Sequence, residues 1–248
     1  MPEPRPTFAV TFPGQGSQQP GMARALLERC PAARTLLAGL SDAAGEDLVR
    51  LAADPDVPAE DLARPRAAHL ALVATGLACW RALRQDPEFA PEAAPDLAPD
   101  SPPCSPRFLA GHSLGEITAL ACAGALPPDQ ALALAARRGE LLETAAAERP
   151  GGMAAIVGPA PEAVEAACAE AMARVPEGEL VAAVNYNTPT QTVIAGSPAA
   201  LAAAEAACAR QGARVVRLPV AAAFHTPLVG GAAAPLYDFA RTLDWREP

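Results

Sequence analysis

Lysine is absent from this chain of 248 residues: its 19 basic residues are all arginine. Alanine and proline are abundant in the same way, so the absence reads as a compositional bias without functional content. Against those arginines stand 28 acidic residues, giving a net charge of -9 and a pI near 4.9. A surface of that sign repels phosphate backbones, which argues against nucleic acid as a partner. Cys30, Cys79, Cys104, Cys122, Cys168 and Cys208 show no metal-ligand spacing, so reduced, buried thiols and no metal site are expected. No stretch reaches the roughly 18 unbroken apolar residues of a membrane span. The opening Met1-Pro2-Glu3-Pro4-Arg5 lacks a basic region followed by an apolar run. The expectation is a cytoplasmic enzyme.

What is present is enough apolar material for a large core, 51% of residues, on a length suited to one large domain or one carrying a smaller insert. Phe8 to Phe12 reads as a buried strand ending in the turn Pro13-Gly14, and the glycines of Gly14-Gln15-Gly16-Ser17-Gln18 let the backbone pass close to a neighbour. Helical spacing predicts one helix from Gly21 to Leu40 and another from His69 to Leu83. The Pro-, Ala- and acid-rich stretch from Asp86 to Pro106 predicts a surface loop. Arg107 to Ala110 reads as a strand, and Gly111-His112-Ser113-Leu114-Gly115 turns it into a helix starting near Glu116, a unit that predicts parallel α/β architecture. Beyond Gly139 the order changes to βαββα: Met153 to Val157, Pro161 to Met172, Leu180 to Val184, Thr192 to Ala195 and Pro198 to Arg210, completed by Val215 to Val220. That order predicts a ferredoxin-like insert over 139–213, within a large α/β-hydrolase-like domain formed by 1–138 and 214–248.

Gly111-His112-Ser113-Leu114-Gly115 fits G-x-S-x-G, a strand-to-helix turn that exposes a serine hydroxyl, with the Leu114 N–H placed to face a developing oxyanion; a plain glycine-serine turn is the competing reading. A serine needs a base to take its proton. Only His69, His112 and His225 exist. His112 adjoins Ser113 and points elsewhere, and His69 lies in an apolar helix, where a satisfied structural histidine is expected. His225 follows a strand in Ala-Ala-Phe-His-Thr-Pro, where α/β sheets present catalytic groups, so it is the candidate base, against the reading of a surface-loop histidine.

Five segments in this order, Gly14-Gln15-Gly16-Ser17-Gln18, Gly111-His112-Ser113-Leu114-Gly115-Glu116, Arg137-Arg138-Gly139, Asn185-Tyr186-Asn187-Thr188-Pro189 and Phe224-His225, resemble the malonyl-CoA:acyl-carrier-protein transacylases and the acyltransferase domains of fatty-acid and polyketide synthesis. The resemblance spans nearly the whole chain. It implies that Ser113 is the acylated nucleophile and His225 the base, with the backbone N–H groups of Gln15 and Leu114 forming the oxyanion hole. It implies that Arg138 holds the free malonyl carboxylate through a guanidinium fork, that Phe224 crowds α-methylated substrates and so favours malonyl, and that Asn187 borders the substrate cleft, although an Asn-Thr-Pro turn explains that residue equally well. The partners so implied are malonyl-CoA and an acyl carrier protein, with Arg137, Arg210, Arg214 and Arg217 as candidate contacts. No metal or redox cofactor is implied, and the enzyme is expected to be a monomer.

Two features depart from the resemblance. Members continue beyond the catalytic histidine, whereas this chain stops at Asp244-Trp245-Arg246-Glu247-Pro248, so the Gln or Asn that orients the histidine is expected to be missing. Arg64-Pro65 stands where many members carry Gln-Pro. The alternatives are an α/β-hydrolase-type esterase or thioesterase, which shares the elbow and the Ser-before-His order, and a truncated, non-catalytic homologue that binds acyl-CoA or a carrier protein.

Overall fold

The computed structural model describes residues 8–85 and 106–248. The loop expected from Asp86 lies, but for Pro106, outside the described residues, as do Met1–Arg5 and Cys104. The chain is an α/β protein. Packing groups Met1–Gly139 with Phe239–Pro248 in a first unit and Glu140–Asp238 in a second.

In the first unit, β1 (Ala9–Phe12) pairs in parallel with β2 (Phe108–Gly111), Phe12 opposite Gly111. Helices α1 (Arg24–Arg29), α2 (Pro31–Ala44), α3 (Leu48–Ala53), α4 (Ala59–Ala63), α5 (Pro65–Leu83) and α6 (Gly115–Cys122) follow the chain, and α7 (Pro128–Glu148) runs on into the second unit. The single helix expected from Gly21 to Leu40 is broken at Cys30, which sits at φ -123° and ψ 87°. Pro31 is the cause: its ring disfavours helical backbone in the residue before it, yet suits the first turn of a new helix. Pro65 likewise opens α5 ahead of the start expected at His69. Every residue from Ala68 to Ala74 is buried, so this part of α5 is enclosed on all sides, while its last turns expose Cys79 and Arg81.

The second unit sorts its core by strand alternation. β3 (Gly152–Val157), β4 (Val181–Thr188), β5 (Gln191–Gly196) and β6 (Arg214–Arg217) form one antiparallel sheet in the order β4-β5-β3-β6. Ala154, Ile156 and Ile194 point to one face, where α8 (Pro161–Met172) and α9 (Pro198–Arg210) cover them with Val164, Ala167, Leu201 and Ala204. Met153, Val193 and Ala195 point to the other face, against Ala222, Phe224 and Leu228. Side chains alternate along a strand, so β3 and β5 carry apolar residues at successive positions and are buried on both faces.

Candidate active site

β2 ends at Gly111 and α6 begins at Gly115, so the chain turns within His112-Ser113-Leu114. A Cβ on Gly111 would lie 1.9 Å from the carbonyl carbon of Gly115, and one on Gly115 would lie 2.2 Å from the Phe12 carbonyl oxygen. Glycine at both positions lets strand and helix meet at backbone distance. The turn closes with N–H donation from Gly115 to His112 O at 3.0 Å and from Glu116 to Ser113 O at 3.1 Å. Ser113 is left at φ 52°, a left-handed conformation costing a non-glycine residue about 1–2 kcal/mol. Leu114 is the N-cap of α6, a position whose N–H has no acceptor within the helix.

Arg138 reaches Ser113 because α7 packs tightly on α5. A Cβ on Gly139 would lie 2.4 Å from the Arg66 Cα, so a larger residue would push α7 away. At this separation Arg138 Nη1 donates to His69 Nε2 at 3.0 Å, and Nη2 donates to Ser113 Oγ at 3.2 Å. His69 is wholly buried, with Nδ1 3.1 Å from the Ala135 carbonyl oxygen. Burial foremost, and then the Arg138 charge, lower the His69 pKa to about 3 against the Ala135 hydrogen bond, so the ring is neutral at physiological pH. Burial also lowers the pKa of Arg138, partly offset by the Glu116 carboxylate, but a guanidinium remains charged. Gln15 joins this group: a Cβ on Gly14 would lie 2.6 Å from His112 O, which sets the loop against the elbow, and the Gln15 carboxamide oxygen lies 3.1 Å from His69 Nε2.

In the second unit the segment after β6 passes beneath the sheet. Leu218 N–H donates to Met153 O at 2.9 Å, and Ala222, Ala223 and Phe224 are buried there. His225 follows at φ 63° and is exposed. Thr226 secures the exit: its hydroxyl donates to Ala223 O at 2.7 Å and accepts from Leu228 N–H at 3.2 Å, capping the 3-10 helix Pro227–Ala232. Among the described residues, Ser113 and His225 are the non-glycine residues with positive φ. Asn187 lies at the exposed end of β4, where Nδ2 donates to Gln191 Oε1 at 3.0 Å.

The first unit thus gathers Gln15, Ser113, Leu114 and Arg138, and the second holds Phe224 beside His225. The residue missed in sequence is His69, which belongs with Ser113 and Arg138 as well as with the core of α5. A histidine among apolar residues signals a need for polar partners, but nothing in sequence points to Arg138. Two arginines proposed for an acidic partner are engaged: Arg210 pairs with Glu170 at 2.7 Å, and Arg217 forks onto Glu205 at 2.8 and 2.9 Å. The thiols match expectation only in part, because Cys122, Cys168 and Cys208 are buried but Cys79 is exposed and Cys30 half-buried, all five being free. Burial first, with neighbouring groups adding to it, pushes Cys122 and Cys168 up to about 12, so neither is a thiolate at neutral pH. Among the described residues no group of three His, Cys, Asp or Glu is placed to hold a metal, and no helix is long and apolar enough to cross a membrane.

The class is that of the acyl transferases, since the family model described as "Acyl transferase domain" matches residues 101–244. The malonyl CoA-acyl carrier protein transacylase of Haemophilus influenzae is 39% identical over 231 residues, covering 92% of this chain and 67% of that protein. A type II polyketide malonyl-transacylase, solved in complex with its acyl-carrier protein, superposes with a TM-score of 0.85 at 35% identity, over 98% of this chain and 72% of its own. The malonyl-CoA:acyl carrier protein transacylase of Xanthomonas oryzae pv. oryzae gives 0.84 at 38% identity, over 98% and 71%. The chain belongs to the malonyl-CoA:acyl-carrier-protein transacylase family.

Proposed function

We propose that the protein moves a malonyl group from coenzyme A to the phosphopantetheine thiol of an acyl carrier protein through an ester on Ser113. The observation that carries this reading is the Arg138 guanidinium placed 3.2 Å from Ser113 Oγ. A plain esterase has no use for a half-buried cation beside its nucleophile, whereas a carboxylated acyl group needs a partner close to its reacting carbonyl. Two charge-assisted hydrogen bonds from a guanidinium fork would supply it. The named relatives and solved neighbours, malonyl transacylases, support the same substrate.

The sequence of steps is then as follows. His225 accepts the Ser113 proton as Oγ attacks the thioester carbonyl, and the oxyanion is held by the backbone N–H groups of Gln15 and Leu114. Collapse breaks the C–S bond, and the proton on His225 goes to the departing coenzyme A sulfur. The carrier-protein thiol next gives its proton to His225, attacks the malonyl-serine carbonyl and releases Ser113, which regains the proton. The positive φ of both Ser113 and His225 supports these roles, because strained backbone persists where the surroundings hold it in place for function. Phe224, next to the base, favours malonyl over α-methylated donors, and Asn187 borders the donor.

The sheet order β4-β5-β3-β6 with α8 and α9 on one face supports a ferredoxin-like insert in a hydrolase-like domain. β6 (Arg214–Arg217) belongs to that sheet, so the insert runs beyond the 139–213 expected, and the hydrolase-like part of 1–138 and 214–248 begins correspondingly later on its C-terminal side. The same reading makes the protein a cytoplasmic monomer working without metal or redox cofactor, serving fatty-acid or polyketide synthesis. Intact-protein mass spectrometry after mixing with malonyl-CoA, methylmalonyl-CoA or acetyl-CoA tests the core of the proposal. A malonyl adduct is expected on the wild type and none on Ser113→Ala, with malonyl loading lost before acetyl loading in Arg138→Ala. No adduct from any donor on folded protein would sink it.

A further inference from the structure

An arginine drawn partly out of water, as half-buried Arg138 is, is ordinarily matched with a carboxylate, because an unpaired charge away from water is costly. Arg138 is not matched in this way: its hydrogen bonds go to His69 Nε2 and Ser113 Oγ. Glu116, the carboxylate that acts on it through space, lies on an exposed position of α6.

Proton counting fixes what the ring does. A neutral imidazole has one N–H and one lone pair. A guanidinium only donates, so the nitrogen 3.0 Å from Arg138 Nη1 must be the acceptor, and that is Nε2. The proton therefore sits on Nδ1, which donates to Ala135 O at 3.1 Å. Ala135 and Arg138 are three residues apart on α7 and share a helix face, so the ring is gripped by the same helix that carries the guanidinium. Gln15 approaches Nε2 at 3.1 Å through a carboxamide whose two ends exchange by a half-turn. Its NH2 end is the one suited to a lone pair.

We propose that His69 is a positioning residue for donor selection: its neutral, Nδ1-protonated ring holds the Arg138 guanidinium at Ser113 without cancelling the charge a donor carboxylate is to meet. A carboxylate in place of His69 would hold Arg138 as firmly but discharge it. An apolar residue would leave the guanidinium charged but free to swing, and misplacement by about 1 Å can cost on the order of 100-fold in rate. A neutral acceptor clamped at its far nitrogen satisfies both needs. The proposal rests on the reading that Arg138 binds a donor carboxylate.

Two measurements on the full chain test it separately from that reading. Nitrogen-15 NMR of the His69 ring at neutral pH is expected to show the neutral Nδ1–H tautomer, with the Nε2 resonance moving in Arg138→Ala. An Nε2–H tautomer or an imidazolium would overturn the assignment whether or not the protein transfers malonyl. The second measurement is the ratio of kcat/KM for loading from malonyl-CoA and from acetyl-CoA. His69→Ala is expected to lower that ratio about 10- to 100-fold, and His69→Gln, whose amide oxygen can accept from Arg138, is expected to recover most of it. A folded His69→Ala protein in which both donors fall by one factor, or a folded His69→Gln protein whose ratio is no better than that of His69→Ala, would reduce His69 to a core residue. A ratio unchanged in Arg138→Ala itself would instead overturn the carboxylate reading, and with it the selection role of His69, while the NMR result on ring geometry would stand.

Discussion

Ser113 and His225 hold left-handed backbone angles, 52° and 63° in φ, that side chains with a Cβ avoid. Each is held there by neighbours that cannot yield: Ser113 by the glycine contacts and closing hydrogen bonds of the elbow, His225 by buried Phe224 on one side and the Thr226 clasp on the other. His69 is constrained chemically rather than sterically, and its constraint should appear in the pH dependence of stability. Its folded pKa is lowered to about 3, against about 6.5 in an unfolded chain. Between those values the unfolded state binds the extra proton, so the contribution is fully present above pH 6.5 and is lost as pH falls toward 3. The slope reaches at most about 1.4 kcal/mol per pH unit. Urea unfolding from pH 7 down to pH 4 is expected to show a steeper loss of stability in the wild type than in His69→Gln. Parallel curves would mean that the ring is not held neutral.

The segment from Ala222 to Ala232 shows how the loop that carries His225 is built on a sheet's second face. Its apolar residues pack against β3 and β5, and the polar backbone left over at the 3-10 helix start is satisfied by one hydroxyl, that of Thr226. Thr226→Val keeps the shape but leaves Leu228 N–H and Ala223 C=O without that partner. A loss of about 1–2 kcal/mol is expected, together with slower acyl loading, because the residue next to it is His225. Thermal unfolding and single-turnover loading would check this; loading at the wild-type rate in a destabilised protein would separate the clasp from the chemistry. Elements of this kind differ in legibility. α8 (Pro161–Met172) and α9 (Pro198–Arg210) match the ranges expected from the sequence, since each has proline at its start and regular apolar spacing. The break between α1 and α2 was equally marked, by Pro31, yet helical spacing on both sides concealed it.

Across the chain, the apolar clusters flanking the four-stranded sheet draw all their residues from 140–238. A contiguous segment that contains its own sheet, helices and both clusters meets the requirements of an independent folding unit. The fragment 140–238 is expected to give a native-like circular dichroism spectrum and a single cooperative urea transition. A spectrum with helix but no cooperative transition would show that its core needs the remainder of the chain. The first unit is discontinuous, closing with Phe239–Pro248, where Asp244 and Gln130 exchange hydrogen bonds at 2.7 and 2.9 Å and Arg246 N–H donates to Ala125 O at 3.0 Å.

The sequence by itself determined the α/β class, the strand-turn-helix around Ser113 and the βαββαβ order after Gly139, because these depend on periodicity, proline and glycine over short spans. It also carried the motifs that mark the acyltransferase family. The tertiary structure alone decided what His69 touches and which arginines are spent in ion pairs. The partners there are distant along the chain: His69 and Arg138 are 69 residues apart, and Arg210 and Glu170 are 40. Helix-on-helix packing fixes such distances, and here it turns on Gly139, where one added carbon would meet the Arg66 backbone.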